Sequence, residues 1–217
     1  MRPRVVMHTQ ISLDGCVKGF QESVSYYREA AEIPSDMVLF GSETVRLAAE
    51  QYPPETESSF HKPGTDPDDK RQNWVIPDSK GRLRNLHVFR NTKYCRDIIL
   101  LVSGSTPEEY LSYLTQREYD YIKTGDLQVD LRESLEQLHE RYGCKMVRTD
   151  SGGGLTSALL EQGLVDEIRL ILSPCLVGNR DLNVFRTMNL QKRVDLKQIS
   201  CESLGEEISL RYEVIRP

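Results

Sequence analysis

The chain has 217 residues, 38% hydrophobic and 28% charged, a balance that suits a globular core and excludes a disordered or fibrous chain. Its 28 basic and 33 acidic residues leave a net charge of −5, which argues against the basic field that nucleic acid needs. No apolar run approaches the ~20 residues of a membrane span. Met1-Arg2-Pro3-Arg4 leads into a strand without a signal-peptide core, so a cytoplasmic protein is expected. The five cysteines (Cys16, Cys95, Cys144, Cys175, Cys201) are dispersed and form no CxxC, which fits reduced thiols. The four histidines (His8, His61, His87, His139) make no metal-ligand pair, and no metal is expected.

Arg4 to Ile11 is apolar and β-branched enough for a central strand, closed by the turn Ser12-Leu13-Asp14-Gly15. Ser23 to Ile33 reads as a helix with Ser23 as N-cap and Pro34 as its stop. Asp36 to Phe40 is a second strand; it runs into Gly41-Ser42-Glu43-Thr44, with Ser42 able to cap a helix over Val45 to Gln51. Residues 51–72 are rich in Pro, Asp, Glu and Ser without periodicity and read as a long surface loop or lid. Asn73 to Ile76 recovers strand character, with Trp74 as a core or interface anchor.

Asp97 to Val102 is a continuous apolar strand, followed by Ser103-Gly104-Ser105-Thr106-Pro107 and a helix over Glu108 to Leu114, with Thr106 as cap. Tyr119 to Ile122 is a short strand, and Asp130 to Tyr142 an amphipathic helix with Leu131, Leu135 and Leu138 on one face. Lys145 to Thr149 is a strand that bends through Gly152, Gly153 and Gly154 into a helix; Asp166 to Leu172 is a further strand. Two last strands, Val194 to Glu202 and Ile208 to Ile215, flank a Gly205-Glu206 turn as an antiparallel hairpin. The alternation of strands and helices predicts an α/β fold with a mainly parallel sheet covered on both faces. No linker divides it, so one domain over residues 1–217 is expected.

Ligands of such sheets gather at the carboxyl ends of strands. Gly41-Ser42, Ser103-Gly104-Ser105 and Ser151 to Gly154 are glycine-bearing turns at such ends, and Ser12 to Gly15 is a fourth candidate. The turn at Gly152 to Gly154 opens a helix, whose unpaired N–H groups and positive dipole end suit a phosphate. Several such turns suggest a dinucleotide. A Rossmann fingerprint is rejected, because Ser157 stands where the third glycine belongs and Leu170-Ile171-Leu172 occupies the place of the acidic residue. No Walker lysine follows any turn, and no G-x-S-x-G elbow exists.

Arg2-Pro3, Ser12 to Gly15, Gly41 to Val45, Val75 to Leu83, and above all Asp150 to Leu155 with Gly163 to Glu167 and Ser173 to Gly178, resemble the riboflavin-biosynthesis pyrimidine reductase family. That family is the reductase half of the bacterial bifunctional deaminase–reductase. No H-x-E…P-C-x-x-C pattern of the deaminase half occurs in these residues. The resemblance implies a dihydrofolate-reductase-like fold and NADPH as cofactor. It implies reduction of a ribosylaminopyrimidine 5′-phosphate to its ribityl form, and homodimers, here through the hairpin Val194 to Ile215. Carried over, Gly152, Gly153, Gly154 and Leu155 hold the pyrophosphate. Gly41, Ser42 and Thr44 touch the cofactor, and Ser103, Gly104 and Ser105 lie near the adenosine 2′-phosphate. Ser12 and Asp14 border the nicotinamide, and Asp150 takes the place of a substrate-contacting glutamate. The chain departs from the family at His8 and at Ala48-Ala49-Glu50, where family members carry Lys or Asn and an Asp-Asp-Pro run.

His8 and Asp14 are the candidate catalytic groups near the hydride acceptor, against readings of His8 as a core histidine and Asp14 as an Asx-turn residue. Asp150 has the alternative of capping the glycine helix. Arg46, Lys62, Arg71, Lys80 and Arg82 are the cations on hand for a substrate phosphate. The alternatives to the pyrimidine reductase are an NADPH oxidoreductase of the same fold with another substrate, such as a pterin, or a non-catalytic dinucleotide-binding protein.

Overall fold

The computed structural model describes residues 1–62, 64 and 69–215. In chain order the elements are β1 (Arg4–Ser12), α1 (Val24–Glu32), β2 (Met37–Leu39), α2 (Ser42–Ala49), β3 (Gln72–Pro77) and α3 (His87–Arg90). They continue as β4 (Cys95–Val102), α4 (Glu108–Gln116), β5 (Asp120–Lys123), α5 (Leu131–Tyr142), β6 (Met146–Thr149) and α6 (Gly154–Glu161), then β7 (Glu167–Ser173), β8 (Asp195–Leu204) and β9 (Glu207–Ile215). The residues form two compact units, one of Met1–Pro3 with Asp36–Lys145 and one of Arg4–Ser35 with Met146–Pro217.

In the first unit the strands lie in the order β5-β4-β3-β2, all parallel. β4 reads as a continuous apolar run because it is buried throughout from Asp97 to Val102. Its core joins Ile98, Leu100 and Val102 to Leu83, Leu86, Tyr110 and Leu114. Trp74 packs against Phe40 and Phe89, ring centroids 4.4 and 5.9 Å away, and is partly buried against this core. The polar loop is tethered here too: Glu55 accepts from Arg117 at 2.6 Å and from Tyr113 at 3.3 Å, and Lys62 lies 2.6 Å from Asp97. Five of its positions (63 and 65–68) fall outside the described residues.

In the second unit the order is β6-β1-β7-β9-β8. β1 pairs in parallel with β6 and β7, and β9 pairs antiparallel with β7 and β8, so the closing hairpin is present as expected. β1 is buried at every position from Val5 to Ser12 and lies between β6 and β7 in the sheet.

Two capping expectations, at Ser42 and Thr106, are corrected, and the capping alternative for Asp150 is not what the structure shows. Ser23 does cap α1, accepting from the Tyr26 N–H at 3.2 Å. In α2, however, Gly41 is the N-cap and Ser42 already helical. In α4 the N-cap is Pro107, because the Thr106 hydroxyl is spent on Ser103 and Ser79. In α6 it is Gly153 without any side-chain cap, because the Asp150 carboxylate is turned to Arg148 instead. The short helix α3 was not expected; it begins after Asn85, whose φ of +57° no sequence signal marks.

Candidate active site

The glycine corner lies in the second unit. Gly153 has φ +67° and ψ −125°, a conformation that a residue with a Cβ reaches only under strain, and it opens α6. The first-turn N–H groups of α6 have no intrahelical acceptor, and no side chain caps them. A Cβ at Gly154 would meet nothing within 4 Å, whereas one at Gly152 would press on Val17 at 3.1 Å. The corner is therefore packed at Gly152 and open at Gly154. One amide is already used: the Gly153 N–H donates to Val184 O at 3.2 Å.

The segment after β7 is laced to this corner and to the turn after β1. Asp14 accepts from the Ser12 hydroxyl, from Val177 N–H at 3.1 Å and from Gly178 N–H at 2.6 Å. Val17 N–H donates to Leu182 O and Val184 N–H to Gly15 O, both at 2.9 Å. Between these anchors opens a cleft of about 850 Å³, lined by Asp14, Cys16, Gly178, Asn179, Arg180, Asp181, Asn183, Arg186 and Thr187. Thr187 also holds Ser157, in the first half of α6, at 2.9 Å. Sequence reading missed Arg180, Arg186 and Thr187. The only local signal was their place just after the Ser173 to Gly178 motif.

The expected catalytic pair has settings of its own. The hydrogen bond from Ser12, with those from the Gly178 and Val177 amides, holds the Asp14 carboxyl down at about 2. Asp14 is thus an ionised anchor between segments 163 and 164 residues apart, which is neither an acid at neutral pH nor a local Asx turn. A carboxyl lowered in this way stabilises the fold above the ordinary carboxylate range, and that contribution is lost as pH falls towards 2. Asp14→Asn is expected to flatten the acid limb of the melting temperature below about pH 4.

His8 is fully buried and stacks on Tyr26 at 4.8 Å; neither ring nitrogen has a hydrogen-bond partner. Burial, with help from the charges of Arg148 and Arg169, pushes its pKa down to about 3, so it is neutral at pH 7. That setting matches the core-histidine reading and supplies no proton. Because the unfolded chain takes the proton near 6.5, stability is full above that pH and falls as pH drops towards 3. His8 Nδ1 stands 3.9 Å from Asp150, and His8→Phe, which keeps the stack and removes two nitrogens without a hydrogen bond, is expected to lessen that slope in thermal melts from pH 7 to 4.

Asp150 accepts from Arg148 Nε at 2.8 Å, and Arg148 also bonds Ala30 O at 2.6 Å. Burial raises the Asp150 pKa against the pull of Arg148. Ser12 is buried and engaged with Asp14 and the Cys16 N–H. Asp166 accepts from Val5 N–H, and Glu167 is held by Arg4, Arg169 and Arg211 in the interior strand β7.

In the first unit, Gly41, Ser42 and Thr44 form the start of α2, with Thr44 exposed. In the turn at Ser103 to Ser105, placed by the resemblance near the 2′-phosphate, the backbone amides already have acceptors within the chain. Gly104 and Ser105 N–H donate to Gly125 and Asp126 O at 2.8 and 2.7 Å, and Ser103 N–H to the Thr106 hydroxyl. The Ser103 hydroxyl is buried against Ser79 O and Ser105. Among the expected phosphate cations, Arg46 pairs with Glu43 and Glu50, Lys62 with Asp97 and Arg71 with Asp69. Among the described residues no group of three or more His, Cys, Asp or Glu is placed to hold a metal ion. No described helix is long and apolar enough to cross a membrane.

A match to the RibD C-terminal domain spans residues 3–210. The chain belongs to the RibD C-terminal domain family. It is 30% identical over 196 residues to the 2,5-diamino-6-ribosylamino-4(3H)-pyrimidinone 5′-phosphate reductase of Archaeoglobus fulgidus, covering 83% of this chain and 84% of the relative. It is 29% identical over 227 residues to the protein of the same name from Methanothermobacter thermautotrophicus, with 99% of both covered. It spans about half of the riboflavin biosynthesis protein RibD of Chlamydia muridarum, 51% of that protein at 27% identity. Among solved structures, Acinetobacter baumannii RibD, form 2, superposes at TM-score 0.69 and 20% identity, covering 99% of this chain and 58% of that one. The riboflavin biosynthesis reductase Rib7 of Saccharomyces cerevisiae superposes at TM-score 0.70 and 20% identity, over 99% and 90% of the two chains. Dihydrofolate reductase from Enterococcus faecalis shares the fold at TM-score 0.51 and 8% identity, over 97% and 96%. The α/β fold is dihydrofolate-reductase-like.

Proposed function

We propose that residues 1–217 act as one reductase domain that uses NADPH to reduce the ribosyl group of a ribosylaminopyrimidine 5′-phosphate to the ribityl form in riboflavin biosynthesis, in the cytoplasm. The observation that carries this reading is the family match over residues 3–210, with relatives that bear the reductase's name along almost their whole length. The strained, uncapped glycine corner at Gly153 fits a diphosphate.

The bound cofactor supplies the hydride. This chain's own residues bind and orient. Gly152 to Leu155 receive the diphosphate, the Asp14 anchor fixes the cleft wall, and Asp150 with Arg148 faces the pyrimidine. His8 and Asp14 shape the site rather than donate a proton, since one is neutral and buried and the other ionised and saturated. The roles of Gly41, Ser42 and Thr44 beside the cofactor follow the family pattern.

Assaying NADPH oxidation with the ribosylaminopyrimidine phosphate tests the reading, with NADH and dihydropterins run beside it. Turnover only with another substrate would replace the proposed one, and binding without turnover would leave a dinucleotide-binding protein. A homodimer is proposed through the edge strand β8 and its partner β9, where Leu196, Ile199, Ile208 and Ile215 are 40–47% exposed. Leu196→Lys combined with Ile199→Lys is expected to give monomers in analytical ultracentrifugation; an unchanged dimer would place the contact elsewhere.

A further inference from the structure

We propose that Arg186 is the cation of the dinucleotide site, and that its guanidinium holds the diphosphate beside the glycine corner, where the Gly153 amide is already used. This inference rests on the proposed function and deepens it. A Cβ built on Gly153 would stand 3.8 Å from Arg186 Nε, so the side chain crosses directly over the strained glycine. Arg186 also lines the cleft beside it. The Gly153 N–H is taken by Val184 O, two residues before Arg186 in the same segment. The backbone bond that removes a donor from the corner therefore brings a guanidinium to it.

The guanidinium is held by its own chain, with Nη1 donating to Asp181 O, which leaves Nε and Nη2 to fork onto a phosphate. The segment that carries it is fixed on both sides, by Gly153 N–H to Val184 O and by Thr187 Oγ1 to Ser157 Oγ at 2.9 Å. Charge in the cleft is mixed: Arg180 and Arg186 stand against Asp14 and Asp181. The Asp14 carboxylate is already offset by three donors, from Ser12, Val177 and Gly178. An exposed guanidinium in such surroundings makes a salt-sensitive contact.

The test compares wild type, Arg186→Met and Arg186→Lys by NADPH fluorescence titration at low and physiological salt. Thermal shift with inorganic diphosphate is measured in parallel. Because Arg186 is exposed, the unliganded variants should melt close to wild type. The expected result is a loss of NADPH affinity of tenfold or more in Arg186→Met, with weaker salt dependence. Partial recovery is expected in Arg186→Lys, as is loss in Arg186→Met of the diphosphate-induced shift. Wild-type affinity in Arg186→Met would overturn the inference and leave the proposed function standing. If the wild type binds no NADPH, the proposed function fails by itself. The diphosphate arm then decides: an Arg186-dependent shift supports the anion site, and its absence overturns it.

Discussion

Arg90→Met is expected to lower the unfolding free energy of the first unit by about 3–5 kcal/mol, the range for breaking a buried ion pair from one side. Arg90 is 1% exposed in spite of its charge. Its Nε reaches Asp97 at 2.9 Å, and its two terminal nitrogens donate to Arg117 O and Glu118 O at 2.8 and 2.7 Å. The guanidinium also lies 3.8 Å from the centre of the Tyr119 ring. One side chain thus ties α3 and β4 to the turn after α4, where Glu118 sits at φ +54°. Met would fill much of the space but leave two carbonyls and a mostly buried carboxylate short of donors. Lys62, 2.6 Å from Asp97, would moderate the loss. The only tryptophan, Trp74, is partly buried against this unit's core, so urea unfolding followed by its fluorescence reads the effect directly. A loss below about 1 kcal/mol, the level of an exposed pair, would show that Arg90 is not the staple described.

The contrast between Arg90 and β4 shows what a sequence discloses. β4 and β1 are buried on both faces, so their apolar runs announce them, and their ends fall within two residues of expectation. The Leu131, Leu135 and Leu138 stripe of α5 is legible for the same reason, since helical periodicity and burial coincide there. α3 has four residues, too few for a period. The site was legible where the local chain sets the conformation, as at Gly153. It was not legible where distant segments decide what fills a turn. Ser103-Gly104-Ser105 and Ser151 to Gly154 carry the same local signature. Gly125 and Asp126 carbonyls take the Gly104 and Ser105 amides of the first, whereas the second keeps an uncapped helix start. Asp14 follows the same logic: beside Ser12, the Val177 and Gly178 amides that it binds are more than 160 residues away, so spacing could suggest only a local turn.

Gly153 and Gly154 should separate strain from ligand access. Gly153→Ala places a Cβ at φ +67°, ψ −125°, at a cost of about 1–3 kcal/mol. The backbone can relieve that strain only by turning the corner, so NADPH affinity is expected to fall at least tenfold together with stability. Gly154→Ala should behave differently. Gly154 is the first residue of α6, and a Cβ there meets nothing within 4 Å, so the folded protein has no steric need of glycine. Alanine is the better helix former, and stability should rise by up to about 1 kcal/mol. If that open space is where the diphosphate comes to rest, the same methyl group stands in its way, and NADPH affinity falls as the melting temperature rises. A stabilised Gly154→Ala protein that still binds NADPH like the wild type would remove the ligand from this corner. Opposite movement of the two readouts has no explanation in folding alone, because a variant damaged in its fold loses both together.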